Sequence, residues 1–169
     1  MMRKKDNGRE SDIVPVSEMT AEGMYARGKE HEEEMNYEEA MEWFQLAADK
    51  GCADAYFRIG MMYEEGLGVP KDNEKALRGF RLAAEHGHME AQFLLGASYF
   101  YGKGVQTNHG DAMRWLLLGA EKGNANSQFL LGFMMLSGLG GPKKEQEAYN
   151  WLRLAANQGH AEAQRYFNK

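Results

Sequence analysis

Between Ala53 and Glu65 the apolar residues fall three and four apart, at Ala55, Ile59, Met62 and Tyr63. That is the period of an amphipathic helix. The pattern stops at Gly66, resumes near Asp72, and stops again at Gly87. It then runs twice more, from Gly87 and from Gly123, at a spacing of 36 residues with no gap. Eight columns are identical in all three copies, among them Gly60/Gly96/Gly132, Phe57/Phe93/Phe129, Ala76/Ala112/Ala148 and Leu82/Leu118/Leu154. A fixed period of this length marks stacked helical hairpins, each drying its apolar side on the next.

The periodicity predicts first helices over Ala53 to Glu65, Met89 to Tyr101 and Ala125 to Ser137. Gly66, Gly102 and Gly138 close them in the left-handed position that follows a helix. Asp72 and Asn108 are good N-caps for the second helices; Lys144 is not, so the last of these should start raggedly. Upstream, Ala21 to Glu34 and Tyr37 to Lys50 read as a further hairpin, entered at Thr20, with a turn four residues shorter. Downstream, residues 160–167 restart a first helix. The expected layout is a disordered or extended leader over 1–19 and a repeat domain over 20–169. Its units are 20–50, 51–86, 87–122, 123–158 and a cap at 159–169, all-α with nine helices.

Several residues carry a family resemblance. Gly51/Ala55, Ile59-Gly60-x-x-Tyr63, Gly66-x-Gly68-Val69, Lys75-Ala76 and Ala83-Ala84 recur as Gly87/Ala91, Leu95-Gly96-x-x-Tyr99, Gly102-x-Gly104-Val105, Ala112-x-x-Trp115 and Gly119-Ala120. The third copy keeps Leu131-Gly132, Gly138-x-Gly140, Ala148-x-x-Trp151 and Ala155-Ala156, and departs at Ser127, Met135 and Gly141. This arrangement resembles the Sel1-like repeat (SLR) family, relatives of the tetratricopeptide repeats. The resemblance implies a right-handed α-α superhelix of about four hairpins plus a capping helix, acting as an adaptor for other proteins. The opening hairpin looks more like an ordinary tetratricopeptide unit. Gly79 stands where Trp43, Trp115 and Trp151 hold the column, so the first full repeat should be the loosest. Some family members carry paired cysteines and are linked to cell-wall or β-lactam chemistry; with Cys52 alone, that link is not carried over.

Composition narrows the partner. A net charge of −5 disfavours nucleic acid and anionic membranes, both of which need clustered Lys and Arg. The basic start at Arg3-Lys4-Lys5 has no apolar run behind it, so neither a signal peptide nor a membrane span is expected. One cysteine excludes an intrachain disulfide and fits a cytoplasmic location.

Tetratricopeptide geometry implies that the first helices line the concave face. It exposes Tyr25, Lys29, Glu32 and Glu33; then Phe57, Met61, Glu64 and Glu65; then Phe93, Ala97, Phe100 and Tyr101; then Phe129, Phe133, Leu136 and Ser137. The face should therefore run from charged to aromatic, its apolar patch rimmed by Glu64, Glu65 and Glu90. The candidate partner-binding residues are Phe57, Met61, Phe93, Phe100, Tyr101, Phe129, Phe133 and Leu136. For the Phe57/Phe93/Phe129 column, wedging neighbouring first helices together is the favoured reading and direct contact with a ligand the alternative.

No catalytic or phosphate-cradling motif is present, and the Gly-x-Gly turns are repeat hardware. His86-x-His88 looks like a metal pair, but His88 and His160 are period mates, which favours a turn role. Met61-Met62 and Met134-Met135 suit adaptable packing. The expectation is a non-catalytic scaffold without cofactor, metal or small-molecule substrate, binding a protein or peptide segment. A dedicated inhibitor or immunity-type protein is the alternative, and a weak hydrolase a more distant one.

Overall fold

The computed structural model describes residues 15–167, and every regular element among them is helical. The hairpins are α1 (Ala21–Glu33) with α2 (Tyr37–Asp49), α3 (Ala53–Glu65) with α4 (Asn73–Glu85), α5 (Met89–Tyr101) with α6 (His109–Glu121), and α7 (Ala125–Ser137) with α8 (Glu145–Asn157). A short α9 (Ala161–Gln164) follows. Each helix packs against its neighbours in sequence, and the first helices α5 and α7 also meet directly. In the tetratricopeptide-like geometry that the family resemblance implies, the first helices line the inner face.

Part of the expected leader falls within the described residues. Residues 1–14 of the leader lie outside the described residues, but Val16–Glu18 form one 3-10 turn. Met19 packs on the first hairpin's core, and its carbonyl accepts from Lys50 Nζ at 2.8 Å. Thr20 caps α1, its hydroxyl accepting from the Gly23 amide.

The turns within the three full repeats share one backbone tie. The amides of Asp72, Asn108 and Lys144 donate to the carbonyls of Tyr63, Tyr99 and Met135 at 2.9, 2.9 and 3.2 Å. Lys144 supplies no cap, yet α8 starts in register with its siblings rather than raggedly. The tie fixes the entry point, and the Lys144 ammonium reaches Glu147 at 3.1 Å in place of a capping oxygen. In the shorter first turn Met35 takes φ +62°, a left-handed conformation that costs a side-chain-bearing residue about 1–2 kcal/mol.

Small residues set the distance between helices. A Cβ added at Gly28, Gly60, Gly96 or Gly132 would come within 2.5–2.8 Å of the side chains of Phe44, Phe80, Leu116 or Leu152. The partner of each glycine is thus the large residue one turn beyond the alanine column, while Ala76 and Ala148 contribute their carbonyls. In the first full repeat the core is slightly more open, with Ile59 and Phe80 each 8% exposed where their counterparts are 0–1%, yet the two helix backbones come close. Gly79 lies directly on Gly60, where an added Cβ would sit 2.8 Å from the Gly60 Cα. With no side chain at this column, the two backbones touch.

Between hairpins, the column Ala47, Ala83, Gly119, Ala155 precedes the buried column Ala55, Ala91, Ser127, Ala163. At the one position where the second column gains a hydroxyl, the first loses a methyl: an added Cβ on Gly119 would lie 2.5 Å from Ser127 Oγ. Glutamines complete the joints. Gln92, Gln128 and Gln164 donate to the carbonyls of Ala84, Ala120 and Ala156 at 3.1–3.2 Å, carbonyls that also accept from the amides of Gly87, Gly123 and Gly159 in the turn that follows.

Candidate functional site

The N-cap of each first helix explains the histidines. His88 Nδ1, Asn124 Oδ1 and His160 Nδ1 accept from the amides of Ala91, Ser127 and Ala163 at 3.1, 2.8 and 3.3 Å. Cys52, in the same column, makes no such bond. His86 turns its Nδ1 to the Leu82 carbonyl instead, so the two histidines of His86-x-His88 do not converge. Among the described residues no group of three or more metal-ligating side chains comes together.

These caps clamp the phenylalanine column. Phe57 stacks on the His88 ring at 4.1 Å between centroids and lies 5.5 Å from Phe80. Phe129 stacks on His160 at 4.4 Å. Phe93, facing a repeat whose cap is Asn124, packs half-buried against the core of the last hairpins. Each of the three joins one repeat to the next and keeps part of its ring accessible. Met61 is likewise half-buried.

Phe100, Tyr101, Phe133 and Leu136 form a separate group at the C-terminal ends of α5 and α7. Phe100 meets Tyr101 edge-on at 4.7 Å and Phe133 edge-on at 6.3 Å. Phe100, Phe133 and Leu136 rest on the buried core, whereas Tyr101 is 71% exposed. The result is an aromatic shelf with one ring standing proud of it.

The opposite end is acidic. Glu32 is engaged, with Lys29 at 2.7 Å and Arg58 at 3.7 Å. Burial works against the Arg58 charge, but the Tyr25 hydroxyl and Glu32 more than offset it and hold its pKa above the usual guanidinium value. Glu33, Glu64 and Glu65 are exposed and, among the described residues, have no ion-pair partner. Glu90 is half-buried, and its carboxylate accepts from Asn124 Nδ2 at 3.0 Å, tying two repeats together. That pairing spans 34 residues and has no local sequence signal. Burial pushes the His88 pKa below the ordinary imidazole value, against the pull of Asp54, whose Oδ1 lies 3.4 Å from Nε2.

Two shallow hollows, of about 420 and 510 Å³, lie elsewhere. One is lined by Arg153, Gln164 and Phe167 and the other by Arg81, Tyr99 and Asn108, and neither holds any of the eight candidate residues.

Helical hairpins stacked in sequence define a helical-repeat solenoid. A family model described as "Sel1 repeat" matches residues 21–52, 53–88, 90–124 and 125–160. The chain belongs to the Sel1 repeat family, and its short-turned first hairpin is matched with the rest. It is similar to a Sel1 repeat protein from Oxalobacter formigenes, with a TM-score of 0.86 and 30% identity over 90% of this chain and 45% of that one. It also resembles a protective antigen of uropathogenic Escherichia coli displaying an SLR fold, with a TM-score of 0.78 and 30% identity over 86% of this chain and 32% of the other. Among curated proteins, chitin synthase regulatory factor 3 of Schizosaccharomyces pombe is 41% identical over 56 residues, which are 33% of this chain and 6% of that protein. The chain therefore spans less than half the length of each of these relatives. Sel1 repeat proteins are generally protein-interaction scaffolds, and the fold is typically non-catalytic. Among the described residues no helix is long and apolar enough to cross a membrane.

Proposed function

We propose that the protein is a non-catalytic adaptor that holds a segment of another protein on its inner face, anchored at Phe100, Tyr101, Phe133 and Leu136. The observation that carries this reading is Tyr101, an aromatic ring 71% exposed beside two half-buried ones. Rings of this kind dominate binding energy at protein interfaces, because they bury a large area at little entropic cost. Phe57, Phe93 and Phe129, with Met61, extend the accessible apolar strip along the same face. A regulatory factor among the relatives accords with an adaptor role. One half-buried thiol, Cys52, suits a reducing compartment, and we place the protein in the cytoplasm.

The test is affinity capture with mass spectrometry, comparing wild type, Phe133→Glu and Tyr101→Ala. A partner held by wild type should be lost with Phe133→Glu and weakened about 30-fold or more with Tyr101→Ala, the effect of removing an interface hot spot. Capture unchanged by either substitution, with circular dichroism also unchanged, would place the contact elsewhere.

A further inference from the structure

We infer that the segment bound on this face is basic as well as apolar: an aromatic or large aliphatic anchor on the Phe100–Tyr101–Phe133 shelf, joined to lysines or arginines lying over the C-terminal ends of α1 and α3. The inference rests on the adaptor reading and adds the chemistry of the occupant.

Equivalent positions in successive first helices change character along the face. Glu32 and Glu64 give way to Phe100 and Leu136, and Glu33 and Glu65 to Tyr101 and Ser137. Glu33, Glu64 and Glu65 are exposed. Glu64 and Glu65 are the last two residues of α3, and that helix has no basic residue in its last turn. Their carboxylates add to the partial negative charge that the unpaired carbonyls of a helix end already carry, so the site attracts cations twice over.

Nearby cations do not cancel this. Lys29 is held by Glu32 at 2.7 Å, and Lys75 by Asp72 at 3.6 Å, with its ammonium over the Tyr63 ring. Lys71, in the turn after Gly66, forms no ion pair with either glutamate. A partner carrying phosphate or carboxylate would be repelled here, whereas one carrying Lys or Arg is drawn in and oriented.

The probe is a displayed library of random peptides of about twelve residues, long enough to cover three first helices. It is selected on the full chain and on two folded variants, Tyr101→Ala and the double substitution Glu64→Lys/Glu65→Lys. Selected peptides should pair an aromatic or leucine-like anchor with two or more Lys/Arg. They should lose about tenfold or more in affinity between ~50 and ~300 mM salt, as screened charge pairs do. Both variants should weaken them, and the charge-reversed one should instead select acidic peptides. Peptides that depend on Tyr101 but show no basic enrichment, or bind the charge-reversed variant equally, would overturn the inference and leave the adaptor reading standing. Basic peptides indifferent to Tyr101→Ala would overturn the joint anchor. A selection yielding nothing sensitive to either variant would overturn the inference and the adaptor reading together.

Discussion

The two halves of the solenoid depart from their own repeat in opposite ways. In the half built from α1 to α4 the packing is irregular: Met35 is forced to positive φ, Cys52 leaves α3 without a side-chain cap, and Gly79 brings two backbones into contact. Its inner face, by contrast, carries the exposed carboxylates of Glu33, Glu64 and Glu65 beside the half-buried Phe57 and Met61. In the half built from α5 to α8 the joints are well capped by His88, Asn124 and His160, and the face is the unusual part, aromatic and half-buried. Regular joints allow an apolar face to be carried without the helices closing over it. Irregular joints sit beneath the acidic end of the face.

The sharpest way to break this contrast is to restore the tryptophan of its column. Gly79→Trp has no room against Gly60 and should cost about 3 kcal/mol or more, read as a large fall in melting temperature or loss of helicity. An unchanged melt would mean the hairpin opens freely and the close approach is dispensable.

Next comes the exchange at the joint between α6 and α7. Gly119→Ala should destabilise by about 1–3 kcal/mol, because the new methyl meets the Ser127 hydroxyl. Ser127→Ala added to it should return stability to wild type or above, since that hydroxyl is buried with no hydrogen-bond partner. Additive losses in the double-mutant cycle would show that the two residues do not compensate one another.

A smaller gain is expected at the first turn. Met35→Gly removes left-handed strain from a side chain that is 74% exposed and should stabilise by about 1 kcal/mol in denaturant titration. A loss there would mean that Met35 contributes packing its exposure conceals.

The smallest effect is a pH dependence confined to the joint between Phe57 and His88. The folded-state pKa of His88 is depressed, so the unfolded chain takes up the proton first as pH falls. This group's contribution is present in full above about 6.5, the unfolded value, and is lost as pH drops through the depressed folded value. His88→Asn keeps the cap, as Asn124 does in the next repeat, and should flatten that part of the stability profile. An unaltered slope between wild type and variant would assign the acid sensitivity to other groups.

Much of the fold was legible because the 36-residue period brings each helix boundary round again. The ends of α3, α5 and α7 follow from Gly66, Gly102 and Gly138, and Thr20 marks the start of α1. What identity between repeats does not reveal is direction. Leu118 and Leu154 belong to a column invariant in the full repeats, yet they are 42% and 47% exposed on the second helices. The meeting of Gly79 with Gly60, and the capture of Glu90 by Asn124, depend on which element lies opposite, and no local pattern encodes that. The aromatic shelf was legible as residues but not as depth. Phe100 and Phe133 sit a fraction of a helical turn from the core-facing stripe, and only the angle between repeats decides how far each ring sinks.

Hydrogen–deuterium exchange on the protein with and without a captured partner tests the inner-face claim most directly. Protection concentrated in the amides of α5 and α7, with α6 and α8 unchanged, is the predicted result. Protection on α6 and α8 alone would contradict it and move the binding surface to the outer layer.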